Sequence, residues 1–195
     1  MQILAFSDIH GNSKALETIL KKSKDADLLL CCGDLTIFEH GITGMMNSLN
    51  KLNKPVLLIH GNHETDDVVA GLCKKYKNLF FIHKKQLCIN DVCFIGFGGG
   101  GFAFVDEELE KFMKKLKPKK DKITLATHAP PYGTKLDLIF KEHRGCKTVT
   151  NFIKKFKPLY AFSGHFHEND GKTDSIGKTV LMNPGKLGKI IKIDI

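Results

Sequence analysis

Ile3-Leu4-Ala5-Phe6-Ser7-Asp8-Ile9-His10 opens the chain with four apolar positions followed by a serine, a carboxylate and an imidazole. The same order returns along the sequence. Leu28 to Cys32 runs into Gly33-Asp34, and Val56 to Ile59 leads through His60 into Gly61-Asn62-His63-Glu64. Ile123 to Thr127 leads into His128, and Leu159 to Phe162 into Ser163-Gly164-His165-Phe166-His167. Short apolar runs bounded by Gly, Asn or Asp read as buried strands. In open α/β sheets, ligand sites gather at the carboxyl ends of the strands. The repeated ends would therefore deliver two carboxylates, one carboxamide and five imidazoles to one place. That is the ligand set of a two-metal hydrolytic centre.

Working outward from these runs, the first half has a strand–helix rhythm that predicts parallel strands joined through helices. Ser13 is placed to cap a helix through Lys24, with Ala15, Leu16, Ile19 and Leu20 on one face. Further helices are expected from Ile42 to Leu52 and from Asp66 to Tyr76. Short strands follow at Leu79 to Ile82, Gln86 to Ile89 and Val92 to Phe97, the last two joined by Asn90-Asp91 as a hairpin. The Gly98 to Gly101 run reads either as a mobile rim over the site or as a turn ending a strand. Asp106 to Leu116 returns to helix, its acidic start suited to the helix dipole, and Pro118 ends it. A loop from His128 to about Gly145 precedes a helix to Phe156. The tail, Gly171 to Ile195, reads as a small antiparallel meander. Two β-rich halves with helices outside predict a β-sandwich covered by helices, one domain over residues 1–195.

Composition narrows the class. At 195 residues the chain suits a single core, and 42% apolar with 26% charged residues is ordinary for a soluble protein. No apolar stretch approaches the roughly 18 residues of a membrane span, and no charged leader precedes the first run, so a cytoplasmic protein without a membrane partner is expected. The six cysteines form no C-x-x-C pair and read as core thiols of a reducing compartment rather than as disulfides. A net charge of +9 admits a nucleic-acid partner, but Arg144 is the only arginine. Lysine is a hydrated point charge without arginine's planar fork, so a solvated basic surface is the favoured reading. The same charge draws anionic substrates toward a cleft.

Two divalent ions roughly 3.5–4 Å apart need a bridging ligand, and Asp34 is the candidate. Asp8 and His10, at alternate positions, can face one ion, and His165 and His167 repeat that spacing. Mixed oxygen and imidazole donors suit manganese, iron or zinc better than calcium or magnesium. Each piece alone is weak; the ordered series D-x-H, G-D, G-N-H-E, H and G-H-x-H is not.

With that series the chain resembles the calcineurin-like metallophosphoesterases, from Asp8 to His167. The runs at 33–38, 128–133 and 164–168 are similar to the small prokaryotic Icc-related predicted phosphoesterases. The resemblance implies a four-layer α-β-β-α sandwich, two facing sheets flanked by helices. It implies that Asp8, His10, Asp34 and His167 bind one metal, and Asp34, Asn62, His128 and His165 a second. The two ions would be divalent, manganese first, with iron, zinc, nickel or cobalt as alternatives. Asn62 and His63 would contact substrate, and His63, not a ligand, would protonate the leaving oxygen as a metal-bridging hydroxide attacks phosphorus. Many protein-phosphatase relatives clamp phosphate with arginines after the G-D and G-N-H motifs. Leu35 to Gly41 and Thr65 to Gly71 contain none, which points to a phosphodiester or a small phosphorylated metabolite. The chain would act as a monomer or homo-oligomer.

Two other functions fit the same resemblance. A non-catalytic interaction subunit on this fold typically lacks ligands or the cleft histidine, and all are present here. A nucleic-acid phosphodiesterase or nuclease usually carries capping segments for which 195 residues leave no room. His40 and His143 read as surface histidines, His60 as a strand end, and His83 carries no signal. Glu64 either orients a neighbour in its turn or is structural.

Overall fold

The computed structural model describes residues 1–118 and 122–194. The first half alternates as read: β1 (Gln2–Phe6), α1 (Ser13–Lys22), β2 (Leu28–Cys31), α2 (Ile42–Asn50), β3 (Val56–Leu58), α3 (Asp66–Cys73) and β4 (Leu79–Phe81). The hairpin β5 (Lys85–Ile89) and β6 (Val92–Phe97) follows, then α4 (Glu107–Lys115) and β7 (Lys122–Thr127). The second half adds β8 (Leu138–Ile139), β9 (Glu142–His143), α5 (Lys147–Phe156), β10 (Tyr160–Phe162), β11 (Thr173–Ile176), β12 (Thr179–Met182) and β13 (Lys189–Lys192).

Two sheets result. One has the order β13-β1-β2-β3-β4, and the other β11-β12-β10-β7-β6-β5. Strands β1 to β4 run parallel, as do β6, β7, β10 and β12, so the carboxyl ends within each set point the same way. Alternation along each strand builds the layers. Ile3 and Ala5 of β1 face the other sheet, where Phe94, Ala126 and Phe162 meet them. Leu4 and Phe6, on the opposite face, pack under Ile19 of α1 and Met46 of α2. On the outer side of the second sheet, Ile95, Leu125 and Ala161 are covered by Leu109 of α4 and by Val149 and Phe152 of α5. The order of layers is helix, sheet, sheet, helix, as the resemblance implied.

Several boundaries differ from expectation, each for a local reason. Asn12, not Ser13, caps α1: its carboxamide oxygen accepts from the Ala15 N–H at 2.9 Å, and Ser13 is already helical. The helix ends at Lys22 and tightens into a 3₁₀ turn over Ser23–Asp25. Helices α2 and α3 stop two to three residues early, at Asn50 and Cys73, where terminal turns fray most readily. The α4 helix starts one residue after Asp106, whose carboxylate caps Leu109 N–H at 2.9 Å. The loop from His128 to Gly145 contains the small β8–β9 hairpin.

The tail is not a meander. β11 and β12 pair as a hairpin, but β12 then runs parallel to β10, and β13 crosses to the other sheet to lie antiparallel to β1. Apolar alternation fits an edge strand of either sheet, so the sequence pattern could not choose between them. Ile195 lies outside the described residues. The cysteine reading also needs correction: Cys88 and Cys93 form a disulfide, with Cα atoms 4.0 Å apart. The Asn90-Asp91 turn sets them directly opposite one another across β5 and β6. Cys31, Cys32, Cys73 and Cys146 are buried free thiols, as expected.

Candidate metal centre

Each apolar run delivers its polar cluster to one cleft between the sheets. Asp8 and His10 follow β1, Asp34 follows β2, Asn62 and His63 follow β3, His128 follows β7, and His165 and His167 follow β10. The backbone itself stitches these ends together. Asp8 N–H donates to the Gly33 carbonyl at 3.1 Å, His10 N–H to the Asp34 carbonyl at 3.1 Å, and Gly164 N–H to the His128 carbonyl at 3.1 Å. Asp8, His10, Asp34 and His165 all hold φ between 50° and 73°. Non-glycine residues in that region store about 1–3 kcal/mol each, a cost that concentrates at functional sites. Gly164 permits a close approach: a Cβ there would collide with the Ser7 hydroxyl and the Asp8 carboxylate.

Two sets of donor atoms converge. In the first, His10 Nε2 lies 3.8 Å from Asp8 Oδ1 and 3.7 Å from Asp34 Oδ2, and His167 Nε2 lies 3.6 Å from Asp8 Oδ1. The His10 and His167 Nε2 atoms face each other at 2.9 Å. In the second, the Asn62 carboxamide oxygen sits 3.0 Å from His128 Nε2 and 2.9 Å from His165 Nδ1, while His128 Nε2 is 3.4 Å from Asp34 Oδ2. Asp34 therefore reaches both sets. Ligand atoms of Asp8, His10 and His167, and likewise of Asp8, Asp34 and His128, lie within 4.8 Å of one another. Imidazole nitrogens and carboxylate oxygens crowded in this way are a donor set that could hold divalent cations. His165 Nε2 and His63 Nδ1 are buried without a hydrogen-bond partner.

His63 is close to both worlds. Its ring meets His10 edge-on at 5.0 Å and Phe38 at 4.7 Å, and its backbone N–H donates to Asp34 Oδ1 at 3.0 Å. With His10 and Asp34 it forms a third group whose ligand atoms come within 4.8 Å of one another.

The charges are strongly coupled. Burial pushes the Asp34 carboxyl up, but the bond to His128, that imidazole's charge and the His63 N–H outweigh it and hold the group at about 2. Burial acts against the charged form of His128 too, yet Asp34 and Asp8 hold it up at about 9. Burial and the neighbouring His128 push His165 down to about 4. His128 Nδ1 lies 2.9 Å from the Cys32 carbonyl, which orients the ring so that Nε2 faces the cleft.

Sequence reasoning left Glu64 open. The structure gives it a definite place: 5% exposed, its carboxylate accepts from the N–H groups of Asp34, Thr36 and Gly61 and from the Thr36 hydroxyl. It thereby clamps the Asp34 loop to the Asn62 loop. The third position after Gly61 was the only signal for it. The glycine run is a close-packed segment: a Cβ on Gly101, where φ is +116°, would lie 2.5 Å from His165 Cε1. His143, read as a surface histidine, bonds buried Asp137 through Nδ1 at 2.8 Å. The cleft, about 360 Å³, is also lined by Phe166, from within the G-H-x-H motif, and by Phe102 and Ile139, which no motif announced.

Strand ends that gather carboxylates and imidazoles between two facing sheets define the class of metal-binding hydrolases. The chain belongs to the calcineurin-like phosphoesterase family, matching it over residues 1–169. It is 32% identical over 200 residues to an uncharacterized protein of Methanocaldococcus jannaschii, covering 94% of this chain and 88% of that one. Among solved structures it resembles phosphopantetheinyl hydrolase from Mycobacterium tuberculosis, with TM-score 0.75, 14% identity and coverage of 94% and 88%. A dimetal phosphatase from Danio rerio is similar in fold, with TM-score 0.67, 8% identity and coverage of 93% and 86%. Among the described residues no helix is long and apolar enough to cross a membrane.

Proposed function

We propose that this protein is a dinuclear metal-dependent phosphoesterase that hydrolyses a phosphodiester or a small phosphorylated metabolite. The observation that carries the reading is the meeting of Asp8, His10, Asp34, Asn62, His128, His165 and His167 in one cleft, with Asp34 reaching both donor sets. Asp8, His10, Asp34 and His167 would hold one ion, and Asp34, Asn62, His128 and His165 the other. When bound, such ions supply positive charge to phosphoryl oxygens and acidify water, and the mixed oxygen and imidazole donor set suits manganese, iron or zinc, of which manganese is the first choice.

The chain's own residues do the rest. Asn62 and His63 contact the substrate phosphate, and His63 passes a proton from its imidazole to the leaving oxygen. Phe38, packed on the His63 ring, limits the angles that ring can take. Glu64 fixes the two loops that carry Asp34, Asn62 and His63, so positioning costs little at the moment of reaction. No arginine lines the cleft among the described residues, and Arg144 pairs with Glu142 on β9. A doubly charged monoester gains more from such cationic clamps than a diester does, which favours the diester.

Elemental analysis after reconstitution with manganese tests the ion count, and a panel of phosphoesters assayed with several divalent metals tests the chemistry. Two ions per chain, activity abolished by a chelator, and a bis-aryl diester hydrolysed at least as well as its monoester are expected. Saturation at one ion, or activity indifferent to chelation, overturns the two-metal reading. Phosphoserine peptides turned over while diesters stay inert overturn the substrate preference.

A further inference from the structure

Seven of the twelve exposed large apolar side chains among the described residues fall on three short segments, 37–38, 102–105 and 138–140. All three border the proposed metal cleft. Phe38 packs on His63, Phe102 meets His165 edge-on at 4.6 Å, and Ile139 lines the cleft beside Phe102. Phe140, next to Ile139 at the tip of the β8–β9 hairpin, is 93% exposed; Phe102 is 80% exposed and Phe38 69%.

These rings stand on supports that are held. Buried Asp137 accepts from the N–H groups of Gly133, Thr134 and Gly145 and bonds His143, which ties down both feet of the hairpin. The loop after Phe102 is pinned where Lys147 N–H donates to the Phe104 carbonyl at 2.7 Å and Asp106 N–H to the Thr148 hydroxyl at 3.0 Å. Local folding preference does not call for phenylalanine at two of these positions. Phe38 and Phe140 have φ of 46° and 47°, where glycine or asparagine fits with less strain. Large apolar groups gathered around one cleft, with water-facing surfaces, mark a binding surface rather than scatter.

The flanks meet different imidazoles. Phe38 stands by His63, the proposed proton donor, and so borders the departing group. Phe102 stands by His165, Ile139 lines the same cleft with Phe140 following it at the hairpin tip, and this flank borders the group that stays on phosphorus. A monoester has one organic arm and would use one flank; a diester uses both. The rings protrude on open ground instead of enclosing a slot, so an alkyl chain laid there would stay largely in water. A flat ring gains by stacking on a protruding face.

We propose that, given the phosphoesterase reading, the cleft selects phosphodiesters carrying a planar aromatic arm, aryl or nucleobase, seated against the rim formed by Phe102, Ile139 and Phe140. The test holds the leaving group constant: 4-nitrophenyl phosphodiesters whose second arm is methyl, hexyl, phenyl or 5′-thymidyl, assayed with the manganese-loaded protein. The phenyl and thymidyl esters should exceed the methyl ester in kcat/KM by about tenfold or more, the scale of one stacking contact. Their ratio to each other tells a nucleobase from a simple aryl group. In Phe102→Ala and Phe140→Ala that preference should fall to within about threefold, whereas Phe80→Ala, an exposed ring on β4, should keep it. Equal rates for methyl and phenyl arms, or hexyl above phenyl, overturn the inference while the phosphoesterase reading stands. If no ester is turned over, that reading fails instead. The rim is then read by calorimetry with phenylphosphonate against methylphosphonate on the same protein. Tighter binding of phenylphosphonate that Phe102→Ala removes upholds the rim, and equal affinity overturns it.

Discussion

Asp8 and Asp34 stand on buried loops between two sheets, bonded on every side, whereas Phe38, Phe102 and Phe140 stand in water on segments anchored at their bases. Both groups surround the same cleft. The buried group has little freedom, because burial of a carboxylate demands partners, and each partner fixes another loop. The exposed group satisfies no such demand and could be exchanged with little loss of stability. On the proposed function, chemistry sits in the part of the molecule that is tied down by its own partners, and recognition in the part that can change.

The sharpest way to break this contrast is Asp34→Asn. The substitution keeps the shape but removes the charge shared by both donor sets and paired with His128. Metal content and activity should fall together, the latter by about 10³-fold or more, since metal charge contributes several kcal/mol to phosphoryl transfer. Elemental analysis beside a rate assay checks it. A variant that keeps two ions and near-normal turnover would show that Asp34 is not the shared ligand.

His63→Gln separates the proposed proton donor from the proposed ligands. Because His63 also lies near His10 and Asp34, its role is a real fork. As a donor it should leave both ions bound and slow alkyl esters by roughly 10²–10⁴-fold, with a smaller defect for nitrophenyl esters, whose leaving group needs little proton. An emptied metal site, or equal slowing of both esters, assigns the residue to an ion instead.

Glu64→Gln sharpens the comparison from beneath. Gln turns an NH₂ toward N–H groups that now donate to a carboxylate, so the Asp34 and Asn62 loops lose their clamp. Residues that orient ligands typically cost 10–100-fold in metal affinity or activity. The metal concentration for half-maximal rate should rise by about that factor, with turnover largely recovered at saturating metal. An unchanged metal midpoint would make Glu64 a fold residue only.

Legibility followed the same division. The polar clusters at the ends of the apolar runs could be read from the residues alone, and the resemblance to the family singled out the proposed ligands and His63 among them. The four layers were readable for the same reason. Glu64 was only half visible: its spacing from Gly61 is plain, but its four bonds come from Asp34, Thr36 and Gly61, partly in another loop. The crossing of β13 to the first sheet was hidden, since alternation tells which face is buried and not which sheet is joined. The Cys88–Cys93 pair is invisible to an argument from redox compartment, although the symmetric flanking of Asn90-Asp91 puts the two residues face to face. The phenylalanine rim has no period and no motif, so nothing in one dimension gathers it.

The smallest effect concerns the glycine segment that joins the two regions, packed on His165 at Gly101 and leading into Phe102. Its start is held by His83, whose Nδ1 accepts from Gly98 N–H at 2.8 Å beneath the His60 ring. Burial, then His60 and Lys84, push the His83 imidazole down to about 4 from an ordinary 6.5. Folded His83 thus binds its proton more weakly than unfolded His83. Its contribution to stability is complete above pH 6.5 and is lost as pH falls toward 4, where protonation also removes the acceptor for Gly98. Discounted for the open part of the ring, this is worth about 1–2 kcal/mol, or a few degrees in Tm for a chain of this size. His83→Gln keeps an acceptor and does not titrate. Measured in chelator at pH 7 and pH 4.5, the drop in Tm should be a few degrees smaller in the variant than in the parent chain. Parallel acid limbs would mean that the segment linking ligands to rim is held by packing alone.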